Sequence, residues 1–155
     1  MNAFEFHCPT KIICGEGALH KLPVKIADRG VTKPLIVTDS NLMKLGIAEQ
    51  VFAPLKEADI NYSLYDRVPP DSSLNVVNEV AELYKEEKCD GWIALGGGSV
   101  IDTAKGAAAS VSVGEKDFTD LQGSEVLQDE LDPLIAIPTT AGTGSEVTLV
   151  AVVAD

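Results

Sequence analysis

Gly91-Trp92-Ile93-Ala94-Leu95-Gly96-Gly97-Gly98-Ser99-Val100-Ile101-Asp102-Thr103-Ala104-Lys105 reads as a buried strand, a glycine turn and a helix in direct succession. Trp92 to Leu95 is a short continuous apolar run, the pattern of a strand covered on both faces. Gly96, Gly97 and Gly98 carry no side chains, so the backbone can turn sharply there and come close to a ligand. Ser99 and Asp102 have the spacing of a capping box just ahead of the apolar positions Ala104, Ala107, Ala108 and Val111, which predicts a helix opening directly on the turn. Unpaired backbone N–H groups and the positive end of a helix dipole meet at such a place. The phosphates of a nucleotide are the first candidate to sit there.

Working outward, the same strand-then-helix grammar repeats. Leu35 to Thr38 is a β-branched run ending at Asp39, and Ile60 to Tyr65 reads as a further strand. Leu134 to Ile137 reads as a buried strand that runs into Pro138-Thr139-Thr140-Ala141-Gly142-Thr143-Gly144-Ser145-Glu146. Between these lie helical patterns: Leu22, Ile26 and Ala27, with Pro23 at a first helical position; Leu42 to Ala58 with Ile47, Val51, Leu55 and Ala58 on one face; and Leu74, Val77, Val80, Ala81 and Tyr84 on another, capped by Ser72 or Ser73. Pro54 is expected to kink or restart its helix, because it cannot donate to the carbonyl of Gln50. Phe4, Phe6 and Ile12 to Cys14 suggest one or two short strands, Gly114 to Pro133 a long acidic connection, and Val147 to Val153 a β-prone segment. Buried strands alternating with amphipathic helices predict an α/β protein, a mostly parallel, Rossmann-like sheet with helices on both faces. In such sheets ligands bind beyond the carboxyl ends of the strands. Asp39, Gly96 to Ser99 and Thr139 to Ser145 all follow strand ends, so one crevice can gather them.

Composition narrows the function. The chain has 155 residues, 45% of them hydrophobic, enough for one domain with a core. A net charge of −12 disfavours nucleic acid and anionic membranes as partners. It also means that a bound dinucleotide must be held mostly by backbone amides. No apolar run is long enough to cross a bilayer, and no secretory signal is visible at Met1 to Glu5. Cys8, Cys14 and Cys89 form an odd set without CxxC spacing, which points to reduced thiols in a cytoplasmic protein. His7 and His20 have no helical pairing, and no base stands beside a nucleophile, so Cys-His and Ser-His catalysis lack support.

Each motif has a plainer alternative. The glycine turn is neither G-x-G-x-x-G, since Ile101 stands where the third glycine belongs, nor a Walker loop. It can be a simple strand–helix turn. Asp39 can bind ribose hydroxyls, which would favour NAD over NADP, or cap the next helix. Asp102 and Lys105 can form a surface ion pair worth ~0.3 kcal/mol, or Asp102 can meet the polar end of a ligand and Lys105 its phosphate. Thr139 to Glu146 offers three threonines, one serine and two glycines in eight positions, a density suited to a polar ligand.

Gly96 to Lys105 and Pro138 to Thr148, taken together, closely resemble the iron-containing (group III) alcohol dehydrogenase family. Thr38-Asp39 and the opening Pro9-Thr10-Lys11-Ile12 to Gly15-Glu16-Gly17-Ala18-Leu19 also look like that family. The resemblance implies the dehydroquinate-synthase-like fold, with residues 1–155 as its N-terminal NAD(P)-binding domain. It implies that Gly97, Gly98 and Ser99, with Gly96 and Asp102 beside them, hold the pyrophosphate region and that Asp39 meets the adenosine ribose. Thr139, Thr140, Thr143, Ser145 and Val147 would line the rest of the channel. The implied reaction is hydride transfer between a small alcohol or aldehyde and NAD, with NADP the less favoured cofactor and a divalent metal, Fe²⁺, polarising the substrate oxygen. The family's metal ligands lie in a helical C-terminal domain that this sequence does not contain, so the 155 residues alone are expected to be inactive, with no catalytic or metal-binding residue of their own. The alternatives are a glycerol-dehydrogenase-like or dehydroquinate-synthase-like fragment and, from another class, a noncatalytic nucleotide-binding or oligomerisation module; homo-oligomerisation stays open.

Overall fold

A computed structural model of the chain describes residues 8–114 and 130–154. Four strands, β1 (Pro34–Val37), β2 (Ser63–Tyr65), β3 (Gly91–Gly96) and β4 (Leu134–Pro138), form one sheet in the order β2-β1-β3-β4. Every pairing is parallel, with Val37 beside Tyr65 and Ala94, and Gly96 beside Pro138. The helices are α1 (Leu22–Ala27, after a 3-10 turn at Ala18–Lys21), α2 (Ser40–Lys44), α3 (Glu49–Glu57), α4 (Leu74–Glu86) and α5 (Gly98–Val113).

The side-chain period of two explains why both sheet faces need helices. Leu35, Val37, Trp92 and Ala94 point into one core with Val77, Val80, Ala81 and Tyr84 of α4 and Ile101, Ala104 and Ala107 of α5. Ile36, Ile93 and Leu95 point the other way, against Leu22 and Ile26 of α1 and Val51, Phe52 and Leu55 of α3. Burying each such aliphatic side chain is worth ~1.5–3 kcal/mol. Tyr84 stacks on Trp92 with ring centroids 3.9 Å apart, tying α4 to the central strand.

Strand order decides where a ligand can go. The chain leaves β1 for β2 on one side, then crosses to β3 on the other side of β1. The switch point is therefore the gap between the carboxyl ends of β1 and β3, where adjoining loops diverge and leave a crevice.

Several local expectations are corrected. Leu42 to Ala58 is two helices, and the break comes at Gly46, whose φ is 71°. Pro54 stays inside α3 with its side chain buried. Ile12 to Cys14 and Val147 to Val153 form no strand; only Ala154 bridges to Ser73. The strand expected from Ile60 starts at Ser63, and Ala27 and Ala58 are exposed. β4 is half-buried, since it lies at the sheet's edge. Phe4 and Phe6 and most of the acidic connection lie outside the described residues. No helix among those described is long and apolar enough to cross a membrane.

Candidate functional site

The three sequence-derived segments meet at the carboxyl edge of the sheet. The ends of β1 and β3 are fastened together first. The buried Thr38 hydroxyl donates to the Leu95 carbonyl at 2.8 Å, and the Val68 amide donates to the Thr38 carbonyl at 3.2 Å. This holds the crevice walls at a fixed separation without using any side chain that faces the opening.

The glycine turn is divided in its roles. Gly96 still belongs to β3. A Cβ there would lie 2.5 Å from Cγ2 of Val100, so its bareness serves the packing of α5 on its own strand. Gly97 is the N-cap of α5, and no side chain caps that helix. The capping box expected from Ser99 and Asp102 does not form, because both lie inside the helix. Ser99 Oγ instead accepts from the Asp71 amide at 3.3 Å. The first N–H groups of α5 are thus left to the solvent or to an anion, as an uncapped helix start requires.

The second loop is laid over this turn. Its first amide, Thr139 N, donates to the Gly96 carbonyl at 3.0 Å, extending the β3–β4 ladder by one bond. A Cβ on Gly97 would approach Thr140 Oγ1 to 2.9 Å, and one on Gly98 would meet Ser145 Oγ at 3.3 Å and Thr143 Cβ at 3.4 Å. A side chain at Gly97 or Gly98 would push against the second loop. Gly142 and Gly144, with φ of 95° and 71°, make the bends that bring the loop back. The amides of Val147 and Thr148 both donate to the Gly144 carbonyl, at 3.0 and 3.1 Å.

Asp39 resolves into a cap with a free oxygen. Its Oδ1 accepts from the amides of Asn41 and Leu42, at 2.8 and 3.0 Å. Both capping bonds use the same oxygen, and among the described residues the other has no hydrogen-bond partner. Asp102 is 8% exposed, and its Oδ1 has no hydrogen-bond partner among the described residues. A buried carboxylate oxygen without a donor is costly, and a ligand donor in the crevice would satisfy it. Lys105 does not reach toward the turn. Its ammonium lies 3.9 Å from Asp102 Oδ1 and donates to the backbone carbonyls of Thr148 and Val150. Burial holds its pKa below the usual lysine value, with the charges of Asp102 and Glu146 pushing it back up.

Sequence reasoning missed one wall. By sequence Ser72 and Ser73 are candidate caps for α4; Ser73 takes the N-cap position without a side-chain hydrogen bond, and Ser72 instead closes on the start of α5. The Thr103 hydroxyl donates to the Ser99 carbonyl at 2.7 Å, and Ser72 Oγ meets Thr103 Oγ1 at 2.5 Å, both hydroxyls buried. Since Thr103 has spent its hydrogen, Ser72 is the donor. A Ser and a Thr 31 positions apart carry no local signal of this pairing.

The arrangement has known counterparts. The model of iron-containing alcohol dehydrogenases matches residues 9–155. The chain belongs to the iron-containing alcohol dehydrogenase family. Within that family it is 45% identical over 152 residues to a choline dehydrogenase of Bacillus subtilis, covering 97% of this chain and 38% of that protein. It is 35% identical over 150 residues to an NAD-dependent methanol dehydrogenase of Bacillus methanolicus, covering 97% and 39%. The fold superimposes on an NADH-dependent butanol dehydrogenase A from Thermotoga maritima with a TM-score of 0.88 and 33% identity, over 99% of this chain and 38% of that one. This member of the iron-containing alcohol dehydrogenases therefore spans about two fifths of the length of the relatives it matches. Among its described residues, no three His, Cys, Asp or Glu side chains gather in a way that could hold a metal. The donors present do not fit an iron centre, whereas the glycine cradle and the unpartnered Asp102 oxygen fit a dinucleotide.

Proposed function

We propose that this chain is the NAD-binding portion of an NAD-dependent alcohol dehydrogenase, with the dinucleotide lying across the switch point between β1 and β3. The observation that carries this is the packing of the second loop on Gly97 and Gly98, beside an uncapped helix start and a buried carboxylate oxygen with no donor among the described residues. The amides at Gly98 and Ser99 would meet the pyrophosphate, with the α5 dipole adding to their attraction. The free oxygen of Asp39 would accept from the adenosine ribose hydroxyls and repel a 2′-phosphate, which favours NAD over NADP. Asp102 would accept from the polar end of the cofactor, and Thr139, Thr140, Thr143, Ser145 and Val147 would wall its channel.

Bound NAD would supply the hydride acceptor for oxidation of a small alcohol. The residues described here would bind and orient it and keep water from the buried side of the crevice. The metal, iron by the family's description and Fe²⁺ in this reading, would be held by residues outside these 155, in a helical domain of the whole protein. The 155 residues by themselves would then bind cofactor without turnover. Three cysteines with no disulfide fit a cytoplasmic protein.

Titration of NADH followed by its fluorescence tests the reading. Enhancement that saturates, needs no metal, and is lost in Gly97→Val is the expected result. An equal affinity in wild type and Gly97→Val would overturn the phosphate assignment, and metal-dependent alcohol oxidation by these residues alone would overturn the division of labour.

A further inference from the structure

We propose that Lys105 is a positioning residue, a latch that holds the second loop along one stripe of α5 and so completes the cofactor-binding surface. The functional half of this rests on the reading of the crevice as a dinucleotide site.

Gly98, Asp102 and Lys105 are spaced i, i+4 and i+7, so they share one face of α5 over ~10 Å of helix. The second loop follows the same stripe. Thr143 and Ser145 lie at Gly98, and Thr148 and Val150 lie at Lys105. Lys105 Nζ donates to the Thr148 carbonyl at 2.8 Å, to Thr148 Oγ1 at 3.2 Å and to the Val150 carbonyl at 3.0 Å. An ammonium has three hydrogens, and this one segment accepts all three. The segment forms no strand, so its carbonyls lack a ladder to satisfy them. Lys105 supplies the donors that a neighbouring strand would otherwise provide.

Charge gives the latch a second task. Asp102 Oδ1 and Glu146 Oε2 are both buried and without hydrogen-bond partners among the described residues. Asp102 stands on α5 and Glu146 on the loop, and both act on the Lys105 charge. Without the Lys105 charge acting on both, helix and loop would present uncompensated like charges in a chain of net charge −12. Lys105 also forms the i, i+3 ion pair with Asp102, at 3.9 Å, a distance too long for a hydrogen bond, so its three hydrogens go to the loop.

Lys105→Met keeps most of the stem and removes every donor; Lys105→Arg keeps the charge. Hydrogen exchange of the Val147 and Thr148 amides, which donate to the Gly144 carbonyl, reads the latch without cofactor. In Lys105→Met these amides are expected to exchange ~10-fold faster or more, while amides of β1 and β3 and the melting temperature hold. NADH Kd is expected to rise ~10-fold, and Lys105→Arg to recover a substantial part of both. Unchanged exchange at Val147 and Thr148 would overturn the latch. Faster exchange with an unchanged NADH Kd would overturn its role in the site. Faster exchange in a chain whose wild type binds no NADH would sink the dinucleotide reading and the functional half of the proposal, leaving the latch as a purely structural tie. Should Lys105→Met fail to fold, Thr148→Val, which removes one acceptor of the three, is expected to show the same changes at ~2-fold, and no change there would count against the proposal.

Discussion

The two loops that form the candidate site are built in opposite ways. The turn from Gly96 to Ser99 is short and sits between the fully buried strand β3 and the largely buried helix α5. Its shape follows from its neighbours in the chain. The loop from Thr139 to Thr148 leaves a half-buried edge strand and has no helix behind it; it is held at its start by Gly96, along its length by contact with Gly97 and Gly98, and beyond its end by Lys105. One loop is rigid because of what it is joined to, the other because of what it touches. A site made from both has a fixed floor and a wall that depends on tertiary contacts, so substitutions in the floor should act on the cofactor or the fold, and those in the wall on the loop first.

The sharpest test sets two adjacent glycines against each other. Gly97→Val should weaken NADH binding ~100-fold by filling the cradle where two charge-assisted hydrogen bonds would form. The melting temperature should hold, since Thr140 is exposed and can turn away. Gly96→Ala should do the reverse. It forces a Cβ into Val100 at 2.5 Å, so it should cost ~1–3 kcal/mol by overpacking and leave the affinity of the folded fraction nearly intact. If the two variants behave alike, the division within the turn is wrong.

Asp102→Ala comes next. It removes a buried carboxylate oxygen that has no donor among the described residues, so denaturant unfolding should show no loss of stability. NADH affinity should fall ~10-fold for one hydrogen bond to a charged group. A stability loss with unchanged affinity would make Asp102 part of the structure alone. Asp39→Gly should have a smaller effect: a few tenths of a kcal/mol for the lost cap, with the ratio of NADPH to NADH affinity rising. An unchanged ratio would limit Asp39 to capping α2.

The opposite edge of the sheet provides the control. Burial opposes ionisation of Asp90, but the Thr32 hydroxyl and the amides of Thr32 and Lys33 donate to its carboxylate, and the balance holds its pKa below the usual value. The folded state thus binds this proton more weakly than the unfolded chain does. The resulting stability is present above the unfolded pKa of ~3.9 and is lost as pH falls through the lower folded value. Asp90→Asn should flatten the acid limb of the stability profile measured by urea unfolding, with NADH affinity at neutral pH untouched. A change in affinity would mean that the two edges of the sheet are coupled.

Much of this was legible in the chain. Trp92 to Leu95 and Leu35 to Thr38 announce doubly covered strands because parallel strands bury both faces, and the spacing of Val77, Val80, Ala81 and Tyr84 announces α4 because one helical face must be apolar. The helix break at Gly46 was hidden by an apolar period that runs on across it. Val147 to Val153 misled because β-branched residues favour a strand only where a neighbouring strand is present to pair with. Asp39 carried two readings at once, and its geometry accommodates both, since one oxygen caps and the other is free.

The sequence by itself determined the parallel α/β pattern, the uncrowded turn at Gly97 and Gly98, and the family, because these depend on residue types at short range. Tertiary structure alone decided that Ser99 and Asp102 make no cap, that Ser72 reaches Thr103, that Gly96 serves Val100, and that Lys105 faces the loop and not the turn. Those outcomes depend on which surfaces the sheet order β2-β1-β3-β4 brings together, and that order is set by packing across the whole domain.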